Sequence, residues 1–339
     1  MFGYYLELAL RSLKRNPVLT GLMMLAIALG IGASMTTLTV LHVLSGDPLP
    51  GRSAHIYYPQ IDPRDMDGYQ PGGEPADQVS WIDGMNLLRA HRAARQALMT
   101  GGAAPIQPTG ANLDPFFVQA RYTTADLFPM FGVPFEYGSQ WNATADENHA
   151  RIAVISDMLN NKLFGGKDSV GRTIRVNDAD LRIVGVIGDW RPDPHFYDLY
   201  QGIYAENEDV FVPLSTSMDL KLPHIGSTDC WGKSPPGSED IKQAPCTWLQ
   251  LWVELDSPTK VAAYKTFLVH YSQEQKALGR FQRPPNVRLR NVMQWLNFKK
   301  VVPGDVRLQT WLAFGFLLVC LVNTVGLMLA KFLRRGGEI

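Results

Sequence analysis

Three cysteines among 339 residues, no excess of either charge and no assembled catalytic motif set the first limits on this chain. Lysine and arginine number 32 and aspartate and glutamate 32, so the formal net charge is +0 and no basic field exists to attract nucleic acid. No H-E-x-x-H, G-x-S-x-G, C-x-x-C or dinucleotide-binding glycine fingerprint occurs, which removes zinc-peptidase, α/β-hydrolase, thiol-redox and nucleotide-cofactor chemistry. The nearest approach to a phosphate-binding loop, Gly165, Gly166, Lys167 and Asp168, lacks the upstream glycine and the hydroxyl residue after the lysine. The expectation is a chain without catalytic residues, cofactor or metal that does not hydrolyse ATP itself.

What the sequence has is length in its apolar runs. The mean hydropathy of −0.08 averages over two very different kinds of segment. Val18–Leu44 and Leu308–Phe332 each exceed the ~20 residues a helix needs to cross the hydrocarbon of a bilayer. Between them, residues 45–307 are polar and domain-like. A cleavable signal peptide is the alternative for the first run, but that run is about twice the length of a signal core and no small-x-small site follows. Arg11, Lys14 and Arg15 precede the first run, and Lys331, Arg334 and Arg335 follow the second. By the positive-inside rule both termini are expected in the cytoplasm and residues 45–307 outside it. Lys299, Lys300 and Arg307 run against that count, but long translocated domains are largely exempt from it. Trp311 suits an interfacial position, as does His42 beside Ser45, Gly46, Asp47 and Pro48. Residues 1–17 carry an apolar stripe of Phe2, Leu6, Leu10 and Leu13, which reads either as an amphipathic helix on the cytoplasmic membrane surface or as an extension of the first span.

An oxidising compartment gives the few cysteines a meaning. Cys230 and Cys246 lie in a stretch rich in proline and glycine, and a bridge would close a loop of about 15 residues worth roughly 3 kcal/mol in the chain-entropy model. The alternative is two separate buried thiols; Cys320 falls within the second apolar run. Ala26, Gly30 and Ser34 recur at i, i+4 and i+8 on the first run, a small-residue face that lets another helix approach closely in lipid.

The central region reads as mixed α and β. The pattern predicts strands at Ile152–Ser156, Thr173–Val176, Leu181–Gly188, Val210–Pro213 and Trp248–Leu255, and helices at Asp157–Phe164, Trp81–Ala97 and Pro258–Gln275. Segments 191–209 and 221–247 read as loops. Within the first, Asp189, Asp193, Asp198 and His195 read as a solvated polar loop in preference to a metal cluster, and its aromatics Trp190, Phe196, Tyr197, Tyr200 and Tyr204 suit either a docking surface or core packing.

Several stretches resemble one family. Residues 121–135 (RYTTADLFPMFGVPF), 152–156 (IAVIS), 163–176 (LFGGKDSVGRTIRV) and 183–189 (IVGVIGD) resemble the periplasmic core domain of MacB-type ABC transporter permeases. Residues 28–34 (ALGIGAS) with 47–50 (DPLP) resemble that family's first span, and 329–339 (LAKFLRRGGEI) resembles the point in FtsX-like permeases where the cytoplasmic coupling segment begins.

The resemblance implies a membrane protein in which transmembrane helices flank an extracytoplasmic α+β domain with two lobes. It implies a permease subunit in the bacterial inner membrane, coupling ATP hydrolysis by a separate ABC ATPase to movement outside and exporting peptide, antibiotic or lipoprotein-like cargo. Its implied partners are that ATPase, a second permease subunit in a homo- or heterodimer, a periplasmic adaptor and an outer-membrane duct, besides membrane lipid. The basic ends, Arg11, Lys14, Arg15, Arg334 and Arg335 with Glu338, fall where the family meets its ATPase. Two further helices after the coupling segment are expected of the family, so the chain is either a truncated permease or a half-length one, and truncation fits a sequence that breaks off as that segment starts. The alternative function is an FtsX-like signalling scaffold that regulates a cell-wall hydrolase.

Overall fold

The computed structural model describes residues 17–108, 113–232, 240–302 and 304–335. In chain order the elements are α1 Pro17–Leu44, β1 Ile56–Gln60, α2 Trp81–Arg89, β2 Arg95–Gln107, β3 Phe116–Thr123, α3 Leu127–Phe131, β4 Phe135–Gly138, α4 Ala143–Glu147, β5 Ile152–Ser156, α5 Asp157–Phe164, β6 Thr173–Val176 and β7 Ala179–Ile187. Then follow β8 Val210–Pro213, α6 Leu214–Asp219, β9 His224–Ile225, β10 Asp229–Cys230, β11 Cys246–Thr247, β12 Gln250–Glu254, α7 Pro258–Ala277, β13 Arg288–Asn291, α8 Val292–Phe298 and α9 Gly304–Arg335. Two compact units result: Met1–Gly46 with Lys299–Ile339, and Asp47–Phe298. The proposed surface helix at 1–17 lies outside the described residues, apart from Pro17, which starts α1.

The first unit is built on α1 and α9. Both are long and apolar enough to cross a membrane, by length and composition. A regular row of shielded positions runs along α1 through Met23, Ile27, Gly30, Ser34, Thr37 and Leu41, with Thr20 and Ala26 also partly shielded, and along α9 through Val306, Thr310, Ala313, Leu317, Cys320 and Thr324. Both series step by alternating fours and threes, the spacing that keeps one seam facing a partner in left-handed helix packing. Gly30 meets Leu317, Ser34 Oγ donates to the Ala313 carbonyl at 3.1 Å, and Thr310 Oγ1 reaches the Thr37 carbonyl at 3.5 Å. Those contacts advance along α1 while they retreat along α9, so the helices are antiparallel. Their outer faces are apolar: Leu22, Leu25 and Leu29 on α1 and Trp311, Leu312 and Leu318 on α9 are all more than half exposed.

The second unit is organised around β2. One long edge of this strand pairs with β3, antiparallel from Met99 with Thr123 to Ile106 with Phe116. Its other edge is shared in succession by β12 at residues 95–99, β9 at 101–102 and β6 at 106–107. From β3 the sheet runs through β8, β5 and β7 to β6, and β6 returns to β2, closing a ring of six strands. Closure satisfies strand edges that would otherwise stay open. In the opposite direction β12, β1 and β13 form an antiparallel wing. The core contains Leu98, Ile106, Tyr122, Ile155, Leu181, Val212, Trp248 and Val253. At Gly102 a Cβ would stand 2.3 Å from the Tyr122 ring, so β2 can pass that ring only as glycine.

The strands at 152–156, 173–176 and 210–213 and the helix at 157–164 match the expected spans. That helix is capped by the Ser156 hydroxyl, which accepts from the Leu159 amide at 3.0 Å, and stopped by left-handed Gly165. The helix expected over Trp81–Ala97 is a correction. It ends at Arg89, His91 takes a positive φ of 46°, and Arg95 already begins β2. Ala97, Leu98 and Met99 are fully buried between β12 and β3, and sheet pairing overrides their helical propensity.

Candidate functional site

The small residues of α1 have a definite neighbour. Gly30 and Ser34 are buried against α9 of the same chain, and Ala26 is half-buried. A Cβ on Gly30 would sit 3.1 Å from Leu317 Cδ1 and 3.4 Å from its Cα, so the bare glycine sets how closely the helices approach. Cys230 and Cys246 are a cross-strand pair on β10 and β11, joined sulfur to sulfur at 2.00 Å. Arg11, Lys14, Arg15 and Glu338 lie outside the described residues, while Arg334 and Arg335 fall in the last turn of α9.

The densest chemistry lies elsewhere, at Arg121 in the middle of β3. Its side chain is wholly buried, and so are those of Asp198 and Glu208. Nη1 donates to Asp198 Oδ2 at 2.7 Å, Nε donates to Glu208 Oε1 at 2.8 Å, and Nη2 donates to the same Glu208 oxygen. Tyr197 donates its hydroxyl to Glu208 Oε2 at 2.5 Å and places its ring 5.0 Å from the guanidinium. Gln201 and Gln250 donate to the two Asp198 oxygens at 2.9 and 3.2 Å, and His195 Nε2 lies 3.2 Å from Glu208 Oε1. Burial alone would raise the Glu208 carboxyl, but Arg121, with His195 and Tyr197, overrides it and holds the group well below the usual carboxylate range. Burial likewise opposes the charge on Arg121, and the Glu208 and Asp198 carboxylates more than restore it.

Local sequence explains how this cluster is admitted. Gly101 on β2 pairs directly with Arg121, and a Cβ there would stand 1.7 Å from Gln201 Nε2. The missing side chain gives Gln201 its route to Asp198. Segment 195–208 therefore is not a solvated loop, and that expectation is corrected: His195, Phe196, Tyr197 and Asp198 are buried, whereas Asp189 pairs with Arg191 in the open and Asp193 is exposed. The aromatics resolve toward packing, with Phe196 and Tyr197 against Phe131 and only Tyr204 of the group well exposed. Among the described residues no group of three His, Cys, Asp or Glu could hold a metal ion. Chemically the cluster is a clamp: both carboxylates are committed to one guanidinium and tie β3 to segment 195–208 and, through Gln250, to β12. One sequence signal for it was available, an arginine set between Ala120 and Tyr122 in a strand with no other charge.

With this fold in view, a family model described as the MacB-like periplasmic core domain matches residues 20–267, which is most of the chain. The chain belongs to the MacB-like periplasmic core domain family. That domain is part of ABC-type transporter permeases. Among solved structures, the periplasmic region of MacB from Actinobacillus actinomycetemcomitans is similar at 11% identity and a TM-score of 0.46, over 76% of this chain and 96% of that one. The extracellular domain of YknZ, a noncanonic ABC-type transporter from Gram-positive bacteria, is similar at 9% identity and a TM-score of 0.43, over 70% of this chain and all of that one. No curated protein matches the chain.

Proposed function

We propose that this MacB-like chain is the permease subunit of an ABC exporter, with α1 and α9 crossing the bacterial inner membrane and Asp47–Phe298 on its outer side. The observation that carries the reading is the antiparallel α1–α9 pair, whose seam is closed by a glycine and hydroxyl residues and whose outer faces expose leucine, methionine and phenylalanine. In water such a surface would be a liability; in lipid it is the matched solvent. An antiparallel pair also returns the chain to the side it left, so both basic ends, Arg11–Arg15 and Lys331–Arg335, face the cytoplasm together.

ATP hydrolysis belongs to a separate ABC ATPase that binds these ends, in an assembly with a second permease subunit, a periplasmic adaptor and an outer-membrane duct. The strand ring and the β12–β1–β13 wing, sharing β2, supply the two lobes, and the Arg121 clamp makes them move as one body. Cargo is of the peptide, antibiotic or lipoprotein kind. A ligand-driven movement requires the ATP-bound partner to prefer one permease conformation by differential affinity. The test is the distance between spin labels in the outer domains of two copies, with and without ATP, in a complex whose ATPase cannot hydrolyse. A shifted distribution is expected; an unchanged one refutes mechanical transmission and leaves a static scaffold.

A further inference from the structure

A cleft of about 550 Å³ opens in the second unit between α2, the 124–126 turn, α4, the start of α6 and Lys242. Its wall is apolar, with Trp81, Met85, Leu88 and Leu214. Its polar side sets the carboxylates of Asp126, Asp146 and Glu147 and the Gln96 amide beside the cations of Arg89 and Lys242 and the imidazoles of His91 and His149. Asp126 accepts from the Gln96 amide at 2.8 Å, and Asp146 accepts from the Ala125 amide at 2.8 Å and the Trp141 indole at 2.7 Å. Among the described residues neither carboxylate is in a salt bridge, nor is Glu147 beside them. The basic groups of the lining are engaged elsewhere or stand off: Arg89 and His91 are exposed at the rim, His149 pairs with Asp219, and Lys242 lies over the Trp81 ring. Burial, reinforced by Asp126 and Glu147, pushes the Asp146 carboxyl up to about 6 against those two hydrogen bonds.

Two further observations say what the cleft accepts. Gln96 lines it, is only 6% exposed and donates Nε2 to the Leu88 carbonyl at 2.9 Å, but its Oε1 has no hydrogen-bond partner. A buried acceptor left unmade costs free energy that a donor from a ligand would recover. Lys242, carried by the loop that the Cys230–Cys246 bridge closes, holds its ammonium 5.3 Å from the centre of the Trp81 ring. The aromatic wall therefore already carries an ammonium, from the chain itself.

We propose that this cleft binds an organic ammonium group on an apolar body, its cation directed to Asp126 and Asp146, a donor to Gln96 Oε1 and its apolar part against Trp81 and Leu88. Anions are excluded by the carboxylates, and neutral apolar molecules leave the acceptors unanswered. Lys242 competes for the Trp81 face and is displaced on binding. The site stands independently of the transport reading, since it needs no ATPase and no second copy. The ammonium can come from a free amine or from a lysine side chain in a peptide, and the two are separable.

The experiment is calorimetric titration of the full chain in phosphatidylcholine nanodiscs at pH 7.5, corrected with empty nanodiscs. The probes are phenethylammonium, its neutral counterpart 2-phenylethanol, and the capped peptides acetyl-Phe-Lys-Phe-amide and its acetyl-lysine form. Phenethylammonium is expected to bind at least about tenfold more tightly than the alcohol, a difference within what aromatic and charge-assisted contacts supply together. Asp146→Asn should abolish most of that preference. Because Asp146 also holds two structural hydrogen bonds, Glu147→Gln, at an exposed position, is the second variant and should weaken ammonium binding severalfold with an unchanged melting temperature. Lys242→Ala should tighten it. Tighter binding of the lysine peptide than of phenethylammonium assigns the site to a protein segment, and the reverse assigns it to small amines; both support the proposal. Equal binding of ammonium and alcohol, or no heat above the empty nanodiscs with any ammonium probe, overturns it.

Discussion

Replacing Arg121 by methionine removes the one cation that two buried carboxylates share. Methionine fills similar volume and leaves the strand intact, so the perturbation is electrostatic. Arg121 donates through Nε and Nη2 to Glu208 and through Nη1 to Asp198, and with all three side chains inaccessible to water nothing replaces it. Stranding one partner of a buried ion pair costs about 3–5 kcal/mol. Tyr197, Gln201 and Gln250 still donate to the carboxylates, which keeps the loss within that range in spite of two stranded acids. Against a domain stability of about 5–15 kcal/mol this is a large fraction. With a urea dependence near 3 kcal/mol per molar, the midpoint of the outer-domain transition should fall by about 1–2 M.

The pH dependence carries the sharper test. In the native protein Glu208 is held below its unfolded value of 4.5, so its stabilisation is fully present above that pH and is lost only as pH falls through the depressed folded value. In R121M the sign reverses. Desolvation without the Arg121 cation raises the Glu208 carboxyl above its unfolded value, so its penalty is complete at high pH and is relieved on acidification. The deficit of R121M relative to the native protein should be largest near pH 8 and narrow toward pH 5. Urea unfolding of the full chain in nanodiscs, followed by tryptophan fluorescence, measures both quantities. R121K, which keeps the charge but not the fork, should fall between the two. A deficit under about 1 kcal/mol, or one identical at pH 5 and pH 8, refutes the account of the clamp.

Three other expectations are independent of it. Between pH 4 and pH 8 the native protein should lose up to about 3 kcal/mol relative to Asp146→Asn, because a carboxyl lifted from 3.8 to about 6 destabilises the folded state progressively above 3.8 and fully above the raised value, while the two hydrogen bonds the variant disturbs cost the same at every pH; native and variant curves that run parallel from pH 4 to 8 contradict it. Thiol labelling of denatured, unreduced protein should modify Cys320 alone, and Cys230→Ser should cost roughly 3 kcal/mol for the loop it opens; three labelled thiols rule the bridge out. Gly30→Leu should force α1 and α9 apart at a cost of about 1–3 kcal/mol and slow disulfide cross-linking between cysteines placed at Ser34 and Ala313, whereas Leu25→Ala, on the outward face, should leave it unchanged. Equal cross-linking in both variants would show that the glycine does not set the approach.

Local order determined much of this protein. A strand that is apolar throughout, such as Ile152–Ser156, followed by a serine cap and a double-glycine stop, needs no distant partner to be recognised, and β5, α5, β6 and β8 fall where the pattern puts them. The long apolar runs and the small-residue spacing of Ala26, Gly30 and Ser34 were equally legible, because both depend on helical periodicity alone. Which helix that face meets was not. Only the antiparallel register of α1 and α9 places Gly30 on Leu317 and Ser34 on Ala313.

Tertiary structure also decided where sequence cues conflict. Residues 95–97 suit a helix by propensity and become strand because β12 and β3 close on both edges of β2. Asp198 and His195 look like solvated loop residues beside Asp189 and Asp193, yet Arg121, which is 77 residues from Asp198 along the chain, draws them into the core. The reason is physical. Periodicity and capping act over a few residues and can be read in one dimension, whereas the burial of a charge is set by a counter-charge that only the fold brings within 3 Å.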